Sequence, residues 1–255
     1  MTEMKADIMQ MNRQPVLSGS NLNKTYHSGG RTVHPLQNVS FEVCPGEILG
    51  IVGESGSGKS TLLRVISGLE CPDSGVLTYK GFHYHGYGPE KTGKFLQMIF
   101  QNAYGSFDPR MTMERSLREG SGADRQEILR MICEVGLTED LLERKPRHLS
   151  GGQCQRMSIA RALLTHAQIL LCDEITSALD VTTQAQVIKL LTEVRAAEDV
   201  SIILVSHDLA LVSMICDRIM VMQDGYIVDQ GKTEDVINAP SDYYTRKLLN
   251  SIISV

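Results

Sequence analysis

The chain has 255 residues, 42% hydrophobic and 22% charged, and its 25 Lys and Arg against 30 Asp and Glu give a formal net charge of -5. That composition excludes a disordered chain, a collagen-like repeat and a small disulfide scaffold, and the length suffices to bury about three-quarters of the unfolded surface. No run of Lys or Arg breaks the charge balance, Trp is absent and aromatics are only 5%, so neither a basic nucleic-acid face nor a base-stacking platform is expected.

The six cysteines, at 44, 71, 133, 154, 172 and 216, form no Cys-x-x-Cys pair. Metal-cluster spacing is therefore absent, and unpaired thiols suit a reducing compartment. Residues 1–15 lack the apolar core of a signal peptide. Apolar runs such as 202–205 are far below the roughly 20 residues a membrane helix needs, so the chain is not expected to span a membrane.

In chain order, Val39 to Val43 alternates apolar and polar residues at the period of a half-buried strand, and Cys44-Pro45-Gly46 ends it in a turn. Ile48 to Val52 is apolar throughout, as a strand covered on both faces is. A Gly-rich loop and a helix over 61–67 follow. Strands are expected at 76–79 and 96–100, with a loop over 81–93 between them. From Met113 to Ala167 the pattern is helical, with Ile128, Ile132 and Val135 on one face. A buried strand at 169–172 precedes a helix over 184–197, where Val187, Leu190, Leu191 and Val194 recur at helical spacing. Another buried strand covers 201–205. The segments 219–222 and 226–228 read as a hairpin around Asp224-Gly225, and 242–253 reads as a final helix. The expected organisation is one mixed α/β domain over 1–255. Its core comprises about 16–101 and 167–240, its helical insertion about 102–166, and its C-terminal helix 241–255.

Gly53-Glu54-Ser55-Gly56-Ser57-Gly58-Lys59-Ser60, followed by Thr61, fits the G-x-x-x-x-G-K-[ST] phosphate loop. The glycines let backbone N–H groups converge on one concavity. Lys59 can reach β- and γ-phosphates, Ser60 can ligate Mg²⁺, and the helix N-terminus favours the anion. Ile169-Leu170-Leu171-Cys172-Asp173-Glu174 ends a buried strand in two carboxylates, at the edge where α/β sheets bind ligands. Asp173 can hold Mg²⁺ through water, and Glu174 can act as general base on the attacking water. Leu149-Ser150-Gly151-Gly152-Gln153 opens a second helix with an anion-binding N-terminus. One nucleotide does not need two such sites from one chain. The economical explanation is that this one caps the nucleotide of a second subunit, whereas Ser150 as a plain N-cap is the simpler alternative.

With these motifs the sequence resembles the ATP-binding subunits of ABC transporters over nearly its whole length. The resemblance implies a P-loop ABC ATPase core with mixed β-sheets and an inserted α-helical subdomain, using ATP and Mg²⁺. It implies that Tyr26 stacks on adenine and that Gln101 joins the core to the helical subdomain, sensing Mg²⁺ and the attacking water. Residues 149–153 match the family signature, Ser177-Ala178-Leu179-Asp180 the loop that crosses the dimer interface, and His207 the switch histidine near the γ-phosphate. Two departures are visible: Cys154 stands where Arg is common and Ile175 where Pro is common, and Ile175 is expected to loosen the turn after the carboxylates.

Residues 101–111, 180–187 and 240–249 are further similar to the peptide/nickel importer family. The chain lacks the Cys-bearing extension of the longer peptide subunits, which makes it resemble the shorter, nickel-type subunit. Importers of this kind imply integral-membrane permease subunits docked near 102–120, a second ATPase subunit (identical or paralogous), and an extracellular or periplasmic solute-binding protein acting indirectly. They also imply a peripheral place on the cytoplasmic face of the membrane. Two other roles fit the same motifs: a soluble non-transport ABC ATPase, and an accessory ATPase of a phosphonate-degrading pathway. His83-Tyr84-His85 invites a metal site, but its Gly-rich surroundings favour an ordinary loop. Tyr104 and Phe107 form either a docking groove for a partner helix or plain packing anchors.

Overall fold

Sheet pairing divides the chain in two. Leu17–Ser28 (β1), Arg31–Val43 (β2), Ser74–Tyr79 (β4) and Phe82–His83 (β5) form an antiparallel sheet in the order β2-β1-β4-β5. Ile48–Val52 (β3), Leu96–Ile99 (β6), Ile169–Asp173 (β7), Ser201–Val205 (β8), Arg218–Gln223 (β9) and Tyr226–Lys232 (β10) form the other, in the order β10-β9-β3-β8-β7-β6. Its pairings are parallel except β10 with β9. This computed structural model describes residues 14–84, 92, 93, 95–177 and 179–253.

The buried apolar strands split their side chains between two cores at the period of a pleated strand. Ile48, Val52, Leu170, Cys172, Ile202, Leu204, Ile219 and Val221 face one core, which the helices cover. Leu49, Ile51, Ile169, Leu171, Ile203, Val205, Met220 and Met222 face the other, shared with β1, β2 and the helix Lys59–Ser67 (α1). Burying each such side chain contributes about 1.5–3 kcal/mol, so a one-residue slip in any strand would be heavily penalised. Register is thereby fixed, and it pairs Asp173 with Val205, Ile51 with Val205 and Ile99 with Cys172. The carboxyl ends of β3, β6, β7 and β8 thus reach one edge of the sheet.

The helical stretch expected over 113–167 is broken. Met113–Ser121 (α2), Arg125–Glu134 (α3) and Gly151–Leu163 (α4) are separate helices, with 3₁₀ turns at Glu139–Leu141 and Pro146–His148. The breaks have local causes. Gly122 closes α2 in the left-handed conformation, and Asp124 opens α3 with a capping box to Glu127. Val181–Glu198 (α5) starts on Asp180, and Leu209–Ile215 (α6) on Asp208, whose side chain accepts from Leu211 N. Thr233–Asn238 (α7) and Tyr243–Ile253 (α8) complete the chain.

Other expectations need correction. The segment 81–93 is not all loop, since Phe82 and His83 pair with Tyr79 and Thr78. His83 is exposed on that strand, Tyr84 is buried with its hydroxyl on Ile66 O, and His85 lies outside the described residues. Tyr104 and Phe107 form no shared groove. Phe107 is 5% exposed and Tyr104 42%. The guanidinium of Arg161 stacks 4.2 Å from the Phe107 ring centroid and donates to Ser106 O at 2.6 Å. Phe107 is a packing anchor.

Candidate functional site

Gly53 to Ser60 links the end of β3 to α1. Its back rests on β2 and on the turn between β9 and β10. Gly225 N donates to Ser57 O at 3.0 Å, and a Cβ added to Gly58 would stand 2.0 Å from Pro35 O. Gly58, at φ 108, is also the N-cap of α1, so only glycine fits there without displacing backbone. Lys59 is 5% exposed. Its ammonium donates to Gly53 O at 2.8 Å and Glu54 O at 2.9 Å. Burial lowers its pKa, while the charges of Glu174 and Asp173 raise it.

At the end of β7, Asp173 Oδ1 accepts from Ser60 Oγ at 3.2 Å, which ties the second strand to the phosphate loop. Burial raises the Asp173 pKa, and the Ser60 hydroxyl works against that shift. Ser60, Asp173 and the carbonyl of Gln101 offer oxygen donors of the kind a hard divalent cation takes, so the residues present fit Mg²⁺. Among the described residues no group of three or more His, Cys, Asp and Glu could hold a metal. A cation at this point would lean on hydroxyl, phosphate and water oxygens, as Mg²⁺ does with nucleotides.

Glu174 adopts the left-handed region at φ 46. This is a strained place for a long side chain, and such strain concentrates at functional sites. Three bonds hold it there: Glu174 N donates to Val205 O at 3.0 Å, and Glu174 O accepts from Ser177 N at 3.1 Å and Ser177 Oγ at 2.9 Å. Ile175 is 2% exposed in the core below. The turn is therefore anchored without proline, contrary to the loosening expected from Ile175. Gln101 Nε2 donates to Glu174 Oε2 at 3.0 Å and to Ser177 Oγ at 3.1 Å. His207, past the end of β8, places Nδ1 3.7 Å from Glu174 Oε2. Gln101 and His207, both distant in sequence, thus converge on one carboxylate, while Ser177 holds both the Gln101 amide and the Glu174 backbone. The role of Ser177 was not legible in its motif, because its partner lies 76 positions away.

A second cluster forms at the N-terminus of α4. Ser150 Oγ accepts from Gln153 N at 3.2 Å, and Gln153 Oε1 accepts from Ser150 N at 2.9 Å. Ser150 and Gly151 are exposed, whereas a Cβ on Gly152 would stand 2.6 Å from Thr183 Cγ2. Thr183 belongs to the cap of α5: its N–H and hydroxyl donate to Asp180 at 3.0 and 2.7 Å and lower that carboxyl's pKa. Ala178, in the same loop, lies outside the described residues. Tyr104 bridges toward this cluster by donating to Leu149 O at 2.7 Å. Cys154, buried in α4, has its thiol pushed up to about 11 by burial. Tyr26 stands apart on β1, its phenol donating to Glu70, which also pairs with Arg64 of α1. Burial raises that phenol's pKa, with Glu70 adding to the shift and Thr61 of α1 opposing it.

A family model described as ABC transporter matches residues 36–177. The oligopeptide transport ATP-binding protein OppF of Haemophilus influenzae is 39% identical over 234 residues, covering 87% of this chain and 70% of that protein. The glutathione import ATP-binding protein GsiA of Pectobacterium atrosepticum is 38% identical over 96% of this chain and 42% of its own length. Among solved structures, a dimeric post-hydrolysis state of the ATP-binding cassette MJ0796 bound to ADP and Pi superposes with a TM-score of 0.78 at 29% identity, covering 85% of this chain and 98% of that one. CbiO1 of Clostridium perfringens, part of the ABC transporter complex cbiONQ, gives 0.79 at 25% identity over 94% and 99%.

The loop geometry separates two glycines. At Gly56, φ is 85 and a Cβ would meet nothing within 4 Å; at Gly58 it would strike Pro35 O. Gly56→Ala should cost only the left-handed penalty, about 1–2 kcal/mol. Gly58→Ala should cost that and a backbone displacement, so urea unfolding should show the larger loss at 58. Equal losses would contradict the close approach to Pro35.

Proposed function

The chain belongs to the ABC transporter family of ATP-binding subunits and is an ABC-type ATPase, and from that premise we propose that it energises an importer for peptides or related short peptide-like solutes. The observation that carries the reading is the convergence of Gln101, Ser177 and His207 on Glu174, beside a phosphate loop tied to Asp173. That arrangement joins a hydrolytic carboxylate to the segment that enters the helices. The peptide assignment is supported by the identities to OppF and GsiA. Nickel, the other cargo the sequence suggests, is an arm of the test.

In this reading the N–H groups of residues 56–61 hold the phosphates, Lys59 turns from its carbonyl partners to the β- and γ-oxygens, and Tyr26 carries the adenine. Ser60, Asp173 and Gln101 hold Mg²⁺, which when bound neutralises phosphate charge. Glu174 takes the proton of the attacking water. Gln101 and His207 orient that carboxylate and the terminal phosphate. Ser150, Gly151, Gly152 and Gln153 cap the nucleotide of a second subunit, and Asp180 crosses the interface. The exposed Ser150 and Gly151 support this, because a capped helix end open to solvent is free to take an anion from outside its own chain. The helical insertion, about 102–166, meets permease subunits on the cytoplasmic face of the membrane. Among the described residues no helix is long and apolar enough to cross a membrane.

Glu174→Gln should keep ATP binding and lower turnover by about 10²–10⁴-fold, the usual worth of a general base. Near-wild-type hydrolysis would remove Glu174 from that role. In membrane vesicles the same variant should abolish ATP-driven uptake of a labelled tripeptide. Loss of nickel uptake with intact peptide uptake would shift the cargo. Recovery of the chain with a soluble lyase assembly and no membrane subunit would favour the phosphonate pathway instead. Ser150→Arg should still bind ATP yet abolish the turnover of the assembled complex; unchanged turnover would show that the signature does not act across subunits.

A further inference from the structure

The Gly53–Glu54 peptide unit is pinned from both sides. Its oxygen, Gly53 O, accepts from Lys59 Nζ at 2.8 Å, and its N–H, on Glu54, donates to Tyr244 Oη at 2.9 Å. Lys59 is local, five and six residues along, but Tyr244 arrives from the far end of the chain, on α8. A peptide plane held at both ends cannot rotate. When Lys59 leaves the carbonyl for a phosphate, the Tyr244 bond is the pin that stays.

We infer that Tyr244 is a positioning residue for the phosphate loop, and that α8 serves as a strut which fixes the loop's entry. The strut is itself anchored. Asp229 Oδ2, on β10, accepts from Ser241 N at 3.0 Å and Asp242 N at 3.3 Å, and Asp242 Oδ1 accepts from Tyr244 N at 2.7 Å. The Tyr244 ring is 7% exposed, and Leu248 and Leu249 pack against the same core. Ring and helix are therefore held by apolar burial while the hydroxyl alone reaches the loop. Burial also raises the phenol's pKa, which keeps it neutral at physiological pH.

The inference rests on reading 53–60 as the nucleotide loop. Tyr244→Phe removes one oxygen and leaves the packing. In the full chain, ATP affinity by equilibrium titration and KM for ATP should both weaken by about fivefold, the worth of one hydrogen bond, with kcat at saturation unchanged. A merely structural role would lower the melting temperature and leave KM in place. Asp229→Ala, which frees the strut but keeps the hydroxyl, should shift KM in the same direction and carries the test if circular dichroism finds Tyr244→Phe unfolded. Wild-type ATP affinity in the folded variants would overturn the assignment. A wild-type chain that binds no ATP would overturn the nucleotide loop as well.

Discussion

Lys59 carries its charge almost out of contact with solvent, on the carbonyl oxygens of Gly53 and Glu54. Moving an ammonium out of water is expensive unless charge or dipoles replace the water. Here neutral oxygens replace it in part, and the charges of Asp173 and Glu174 act at longer range. In the proposed reading a triphosphate brings several anionic oxygens to the ammonium at the start of α1, where a helix N-terminus favours an anion. The ion, the helix end and the two carboxylates are one electrostatic unit, and the sheet exists in the register that brings them together.

That register follows from side-chain burial. β3, β7 and β8 are covered on both faces, so each residue has one core to enter and a slip would exchange the two sets. Parallel pairing then aligns the strand ends. Gln101, Glu174 and His207 leave β6, β7 and β8 at one edge, and their side chains need only a few ångströms to meet. The strained backbone at Glu174 is tolerable because Val205 and Ser177 hold it and Ile175 is buried beneath.

Much of this was legible in the residues. The continuous apolar runs marked β3, β7 and β8, and the phosphate loop and the paired carboxylates are local patterns. The helix start at Ser150 was legible as a cap, whereas Gly122 and Asp124, ordinary stop and start residues, were masked by a helical periodicity spread over 113–167. β1 was not legible. Its polar residues interrupt the alternation, Asn21 sits at φ 51, and its register with β2 shifts three times. Seven apolar-rich residues over 209–215 carry too little periodicity to declare α6. Contacts such as Tyr244 to Glu54, 190 positions apart, have no local signature at all.

If the proposed reading holds, phosphate charge on Lys59, rather than the base on Tyr26, supplies most of the nucleotide affinity. Isothermal titration of the wild-type chain with Mg·ATP and with adenosine measures this directly. Charge-assisted hydrogen bonds are each worth about 1.5–3 kcal/mol, so ATP should bind at least about tenfold more tightly than adenosine, and Lys59→Ala should erase most of the difference. Equal affinities for the two ligands would contradict the account.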